Sequence, residues 1–183
     1  MTTQNTPHKI CLIHGNQQLL VDETTNNLIE QRLEGREHEW SLERFNAQEM
    51  LKSTGESGKN SIDDFLISCE TLPMLSDRKV IRLDNFELIK KAAKKNDSSS
   101  AGRLFDAVEN IINNPPDWYW FVFTSPAMRE QDFSKPLYRG IKQSGWIQKF
   151  VAYDNSSPFN WVIQRGEKKG LPLSADAARL LID

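Results

Sequence analysis

The chain has 183 residues, 38% of them hydrophobic and 26% charged, with a mean hydropathy of −0.57. Nine Gly, eight Pro and two Cys exclude collagen-like, low-complexity and disulfide-stapled classes, and no apolar run approaches the roughly 18 residues of a membrane span. Charge is balanced, 13 basic and 15 acidic residues up to position 96 and 10 of each after it, so no basic excess marks a surface that holds nucleic acid by itself.

Five predicted strands alternate with helices. Residues 9–14 (KICLIH) form a short apolar run that stops at Gly15. Residues 19–33 read as a helix, with Leu20, Leu28, Ile29 and Leu33 near one face and Asp22 and Glu23 expected in its first turn. Residues 38–45 alternate, with Trp40, Leu42 and Arg44 opposed to Glu39, Ser41 and Glu43, as in a second strand. Ser61 caps a helix over 61–70 that carries Ile62, Phe65, Leu66 and Cys69 at spacings of three and four. Residues 79–83 (KVIRL) are a third strand, and 101–113 a helix bearing Leu104, Phe105, Val108, Ile111 and Ile112. After the breaker Pro115-Pro116 comes a fourth strand, 118–124 (WYWFVFT), and 145–153 reads as a fifth. This alternation predicts an α/β domain over 1–153, a five-stranded, mostly parallel sheet with helices on both faces.

The character changes after Tyr153. Residues 154–158 (DNSSP) read as a linker ending in a helix start, with Ser157 as cap and Pro158 at the first helical position. A helix to about Lys169 stops at Gly170, and Ser174 caps a further one over 175–182. Two helices cannot bury both faces alone, so a second, helical domain is expected to begin near residue 156 and to be truncated. Residues 53–60 and 90–100 read as polar surface loops.

The chemistry-bearing motifs fail in informative ways. A strand ending in Gly before a helix is the setting of a phosphate loop, which needs G-x-x-x-x-G-K-[ST]. From Gly15, the Gly-Lys-Ser/Thr positions hold Leu20-Val21-Asp22, so the cation is missing and carboxylates stand in its place. The decoy around Gly58-Lys59-Asn60 has Ser53 where the first Gly belongs, and no strand precedes it. Ile81-Arg82-Leu83-Asp84-Asn85 is similar to a Walker B strand, but Asn85 replaces the second acid and Arg82 interrupts the apolar run. His8, His14 and His38 show no metal-ligand spacing, and Cys11 and Cys69 read as small buried hydrophobes in a reducing compartment. The polar, uncharged start lacks the regions of a signal peptide, so the cytoplasm is the expected location. No metal or cofactor is expected. Lys90, Lys91, Lys94 and Lys95 would share one helix face, without the interleaved aromatics that stack bases.

The connection 71–78 (TLPMLSDR) is different. Pro73 ends the preceding helix, and Leu72, Met74 and Leu75 crowd a short turn. These side chains either cap the base of the core or present an apolar plug to a partner.

Several stretches carry a family likeness. Residues 9–16 with 19–23, residues 69–80, and Phe159-Asn160-Trp161-Val162-Ile163 with Arg165, Lys169-Gly170-Leu171 and 174–178 resemble, in order and spacing, the delta subunit of the bacterial DNA polymerase III clamp loader. The resemblance implies a RecA-like, AAA+ type core without a working phosphate loop. It implies a non-catalytic role in DNA replication: opening the sliding clamp (the beta subunit). By residue-to-residue carry-over, Met74 and Leu75, with Leu72 alongside, would enter an apolar cleft of the clamp. The match departs from the commoner Leu-Phe plug. Other clamp-loader subunits would be met through a C-terminal region beyond this chain, and DNA only within the assembly. The alternatives are a nucleotide-dependent enzyme of RecA-like fold, such as a divergent ATPase or kinase, and a DNA-binding module using Lys90 to Lys95.

Overall fold

In a computed structural model of the chain, the structure describes residues 8–35, 38–52, 61–73, 77–90, 99–151 and 158–181. The elements in order are β1 (Ile10–His14), α1 (Gln18–Leu33), α2 (His38–Ser41), β2 (Leu42–Asn46), α3 (Ala47–Lys52), α4 (Ile62–Glu70), β3 (Lys79–Asp84), α5 (Ser100–Asn113), β4 (Tyr119–Ser125), α6 (Lys135–Ser144), β5 (Trp146–Lys149), α7 (Pro158–Lys168) and α8 (Ala175–Leu180). Short 3-10 turns follow β3 and β4, at Phe86–Leu88 and Glu130–Asp132. The chain divides into two compact units, 1–151 and 152–183.

The first unit is built on one sheet in the order β2-β3-β4-β1-β5, every neighbouring pair parallel. Leu12 stands beside Phe123 on one side and Ile147 on the other, and Val80 beside Leu42 and Trp120. A parallel sheet must be covered on both faces, which is why β1 and β4 are nearly continuous apolar runs. Side-chain alternation then sorts them into two cores. Leu12, Ile81, Leu83, Phe121 and Phe123 join Phe65 of α4, Leu104, Phe105 and Val108 of α5, and Leu137 and Ile141 of α6. Ile13, Val80 and Val122 meet Val21, Ile29 and Leu33 of α1 on the opposite face. Phe86 stacks on Phe123 at 4.7 Å between ring centroids, and Phe45 meets Phe65 edge-on at 5.2 Å.

Three local readings change. The predicted strand 38–45 is divided: a helical turn, α2, precedes β2. Phe45 sets the buried face by packing on Phe65, so Trp40 and Arg44 turn to solvent and Glu43 shares the side of α4. Helix α1 begins at Gln18, which carries Asp22 and Glu23 past its first turn; its buried stripe is Val21, Thr25, Ile29 and Leu33, spaced by four. Helix α6 lay unread between the fourth and fifth strands. Its signal is Pro136 at the helix start with Leu137 and Ile141 buried four apart. The capping reading of α4 holds: Ser61 Oγ accepts from the Asp64 amide at 3.0 Å, and Asp64 accepts from the Ser61 amide, a capping box.

The second unit is a helical pair. Ser174 caps α8 by accepting from the Ala177 amide, and Gly170 ends the α7 region with φ +71°, a conformation suited to Gly. Gly166 lets the returning chain close in, since a Cβ there would lie 2.5 Å from the Leu171 carbonyl oxygen.

Candidate functional site

Two rims of the sheet carried expectations. At the carboxyl ends of the strands, only residues 15–17 join β1 to α1. Gly15 takes φ +135°, and a Cβ would fall 1.7 Å from the Phe150 carbonyl oxygen, so the turn requires Gly. The Gly15 amide donates to the Ser125 carbonyl at 3.0 Å and the Gln17 amide to the Phe150 carbonyl at 3.4 Å. A phosphate cradle is made of free, convergent amides. Here the Gly15 amide is taken by Ser125 of β4 and the Gln17 amide by Phe150 just past β5, and Leu20-Val21-Asp22 lie within α1 rather than in a loop.

Asp84, the Walker B-like acid, is also engaged. Its Oδ1 accepts from Arg82 Nε at 2.7 Å and from the Thr124 hydroxyl. The same guanidinium lies 3.7 Å from Asp22 of α1. Arg82 therefore puts a cation of this chain between the two carboxylates. Arg82, Asp84 and Thr124, with Gln18, Asn85 and Ser125, line a cavity of about 210 Å³. Asn85 sits at φ +59°, a left-handed conformation Asn tolerates, and donates to Asn46 Oδ1 at 2.9 Å. Ser125 donates to Glu87 at 2.6 Å. His14, at the end of β1, is 1% exposed, with Nδ1 2.8 Å from the Ala127 carbonyl and its ring edge-on to Phe133 at 5.1 Å. Burial lowers its pKa below the usual imidazole value, outweighing the bond to Ala127. Among the described residues no three His, Cys, Asp or Glu side chains are grouped to hold a metal ion.

At the amino ends of the strands the picture reverses. Helix α4 ends at Glu70; Thr71 closes it with its amide at 2.9 Å and its hydroxyl at 2.7 Å from the Ile67 carbonyl. Ile67 is 61% exposed and Leu72 57% exposed, apolar side chains left in water on either side of that helix end. Of the three predicted plug residues the structure places Leu72 on the surface; Met74 and Leu75 lie outside the described residues, as do the loop 53–60 and Lys91, Lys94 and Lys95. Beyond the connection, Arg78 and Lys79 diverge to opposite faces. Arg78 pairs with Glu34 at the end of α1, its guanidinium 5.5 Å from the Trp120 ring centroid. Lys79 is 5% exposed; its ammonium donates to the Ser68 carbonyl of α4 at 3.2 Å, pairs with Glu43 of β2, and lies 5.4 Å from the Tyr119 ring centroid. Burial, with Cys69 and Glu43 nearby, pushes the Tyr119 phenol up to about 12, so the ring stays neutral. Burial likewise raises the Cys69 thiol to about 12 and that of Cys11 to about 11, which keeps both as thiols rather than reactive thiolates. Sequence reading missed Ile67 and the role of Lys79; the available signal was a lysine opening an otherwise apolar strand.

The family model for DNA polymerase III, delta subunit, matches residues 11–148, about three quarters of the chain. The chain belongs to this delta-subunit family. Among solved structures, the DNA clamp loader delta protein of Bacillus subtilis superposes with a TM-score of 0.64 at 15% identity, covering 96% of this chain and 48% of that one. The chain thus spans about half the length of that structure. A protein chain from the HORMA:CdnC:Trip13 complex of E. coli MS115-1 superposes with a TM-score of 0.57 at 10% identity, covering 96% of this chain and 58% of that one. At these identities the likeness is one of fold, and the sheet is RecA-like, as the family resemblance implied. No curated protein sequence matches the chain. No helix among the described residues is long and apolar enough to cross a membrane.

Proposed function

We propose that this chain is the clamp-contacting part of a clamp-loader delta subunit, a non-catalytic opener of the sliding clamp in DNA replication. The observation that carries the reading is the exposed apolar pair at the end of α4, Ile67 and Leu72, at the mouth of the connection that the family resemblance assigns to clamp contact. Leu72, Met74 and Leu75 enter an apolar cleft on the clamp, and α4 presses beside it. Each apolar side chain contributes roughly 1.5–3 kcal/mol when fully buried, so the set is worth a strong interface anchor. Met lacks the area of an aromatic plug but adapts its shape.

Opening is driven by binding. The chain shifts the closed ring toward a loosened one only by as much as it prefers the loosened state. ATP acts on sister subunits that control when the α4 end is exposed. Those subunits and the clamp are the partners; DNA is met within the assembly, in the cytoplasm.

A nucleotide-dependent enzyme is the weaker reading. The three-residue turn, the engaged amides of Gly15 and Gln17 and the pairing of Asp84 with Arg82 speak against it. The test is titration of the chain against the clamp of the same organism, beside a Leu72→Ala/Met74→Ala/Leu75→Ala variant. Saturable binding that the folded variant loses at least tenfold is expected. Equal binding by both, or saturable nucleotide binding with none to the clamp, overturns the reading.

A further inference from the structure

Lys79 is an unusual residue to bury. An ammonium loses much of its hydration inside a protein, and its place must be made good by partners. Here each partner belongs to a different element: the Ser68 carbonyl to α4, the Glu43 carboxylate to β2, the Tyr119 ring to β4. The Ser68 carbonyl is one of the last-turn carbonyls of α4, where the helix dipole is negative and intrahelical donors run out. Lys79 therefore acts as a C-terminal cap delivered from the strand, 11 residues further along the chain. It fastens the two ends of the 71–78 connection to each other. Arg78 secures the same strand start to α1 through Glu34.

We propose that Lys79 is the positioning residue of the clamp contact: its bond to Ser68, braced by Glu43, holds the end of α4 so that Ile67 and Leu72 face the partner in one stance. The inference rests on the clamp-opening reading and adds a residue that never touches the clamp. A side chain held in its bound stance before the encounter loses less freedom on binding, and affinity gains accordingly.

The experiment compares Lys79→Met, which keeps the stem against Tyr119 and removes the charge, with Glu43→Gln, which leaves a half-exposed amide at the brace. Clamp affinity is measured for each, alone and combined with Leu72→Ala, and amide exchange is followed along the 183-residue chain. Lys79→Met is expected to weaken clamp binding about tenfold and Glu43→Gln about threefold, amounts of roughly 1.4 and 0.7 kcal/mol. Both losses should shrink when Leu72 is already Ala, and exchange should quicken at residues 69–72 while β1 and β4 stay protected. A purely structural lysine would weaken binding equally with and without Leu72, and that result overturns the proposal, as does unchanged affinity in a folded variant. Should Lys79→Met not fold, Glu43→Gln carries the same comparison. If the wild-type chain binds no clamp, the clamp reading falls; exchange at 69–72 then decides the clasp alone, and unaltered exchange there refutes it.

Discussion

The two rims of the sheet use charge in opposite ways. At the carboxyl rim, Arg82 lies between Asp22 and Asp84, and the Gly15 and Gln17 amides are bonded to the Ser125 and Phe150 carbonyls. Charge there is turned inward, against the chain's own acids, at the rim where open α/β sheets generally receive ligands. At the amino rim, Lys79 and Arg78 also pair with this chain's acids, but they hold helix ends, and at the end of α4 the chain leaves Ile67 and Leu72 exposed. One rim pairs its acids with a cation of the same chain; at the other, similar ion pairs join helix ends beside exposed apolar side chains.

The largest expected effect comes from breaking the carboxyl rim. Gly15→Ala places a methyl inside the Phe150 carbonyl and should cost on the order of 3 kcal/mol or more, read as a lowered urea midpoint. Arg82→Leu removes a mostly buried cation from Asp84 and should cost about 2 kcal/mol. It should not create saturable ATP binding, because the amides remain engaged; ATP binding by this variant would show that Arg82 alone closes the edge.

His14 gives a smaller, pH-dependent effect. Its folded pKa lies below the ordinary 6.5, so the unfolded chain binds more protons between the two values. Its stabilising contribution is complete above pH 6.5 and declines as pH falls toward the folded pKa, then levels. The slope cannot exceed about 1.4 kcal/mol per pH unit from this one group. Urea midpoints measured from pH 5 to 8 should show the decline, and His14→Gln should flatten it. Leu72→Ala sharpens the comparison from the other side. An exposed leucine should change stability by no more than about 0.5 kcal/mol while weakening clamp binding several-fold.

The fold was largely legible because parallel strands buried on both faces leave dense apolar runs. KICLIH and WYWFVFT needed no context. The misread pieces are those where tertiary packing outweighs local pattern. Residues 38–45 alternate convincingly, yet Phe45 on Phe65 decides which side is buried. Helix α6 is short and opens on Pro136, so its two buried residues made a faint stripe. The absence of a Gly-Lys-Ser/Thr match at Leu20-Val21-Asp22 is legible in the sequence, but the engagement of the Gly15 and Gln17 amides is not, since Ser125 and Phe150 lie far along the chain. Leu72 was legible as a crowded apolar side chain in a short turn. Lys79 was not, because its partners on α4, β2 and β4 converge only in three dimensions.

The most direct measurement is amide exchange along the chain with and without a saturating amount of the sliding clamp. Protection confined to the end of α4 and the start of β3, residues 67–80, with the Gly15 turn and the end of β4 unchanged, is the predicted result. Protection centred on the Gly15 turn and residues 124–127 instead would contradict the account, since contact would then lie on the opposite rim of the sheet.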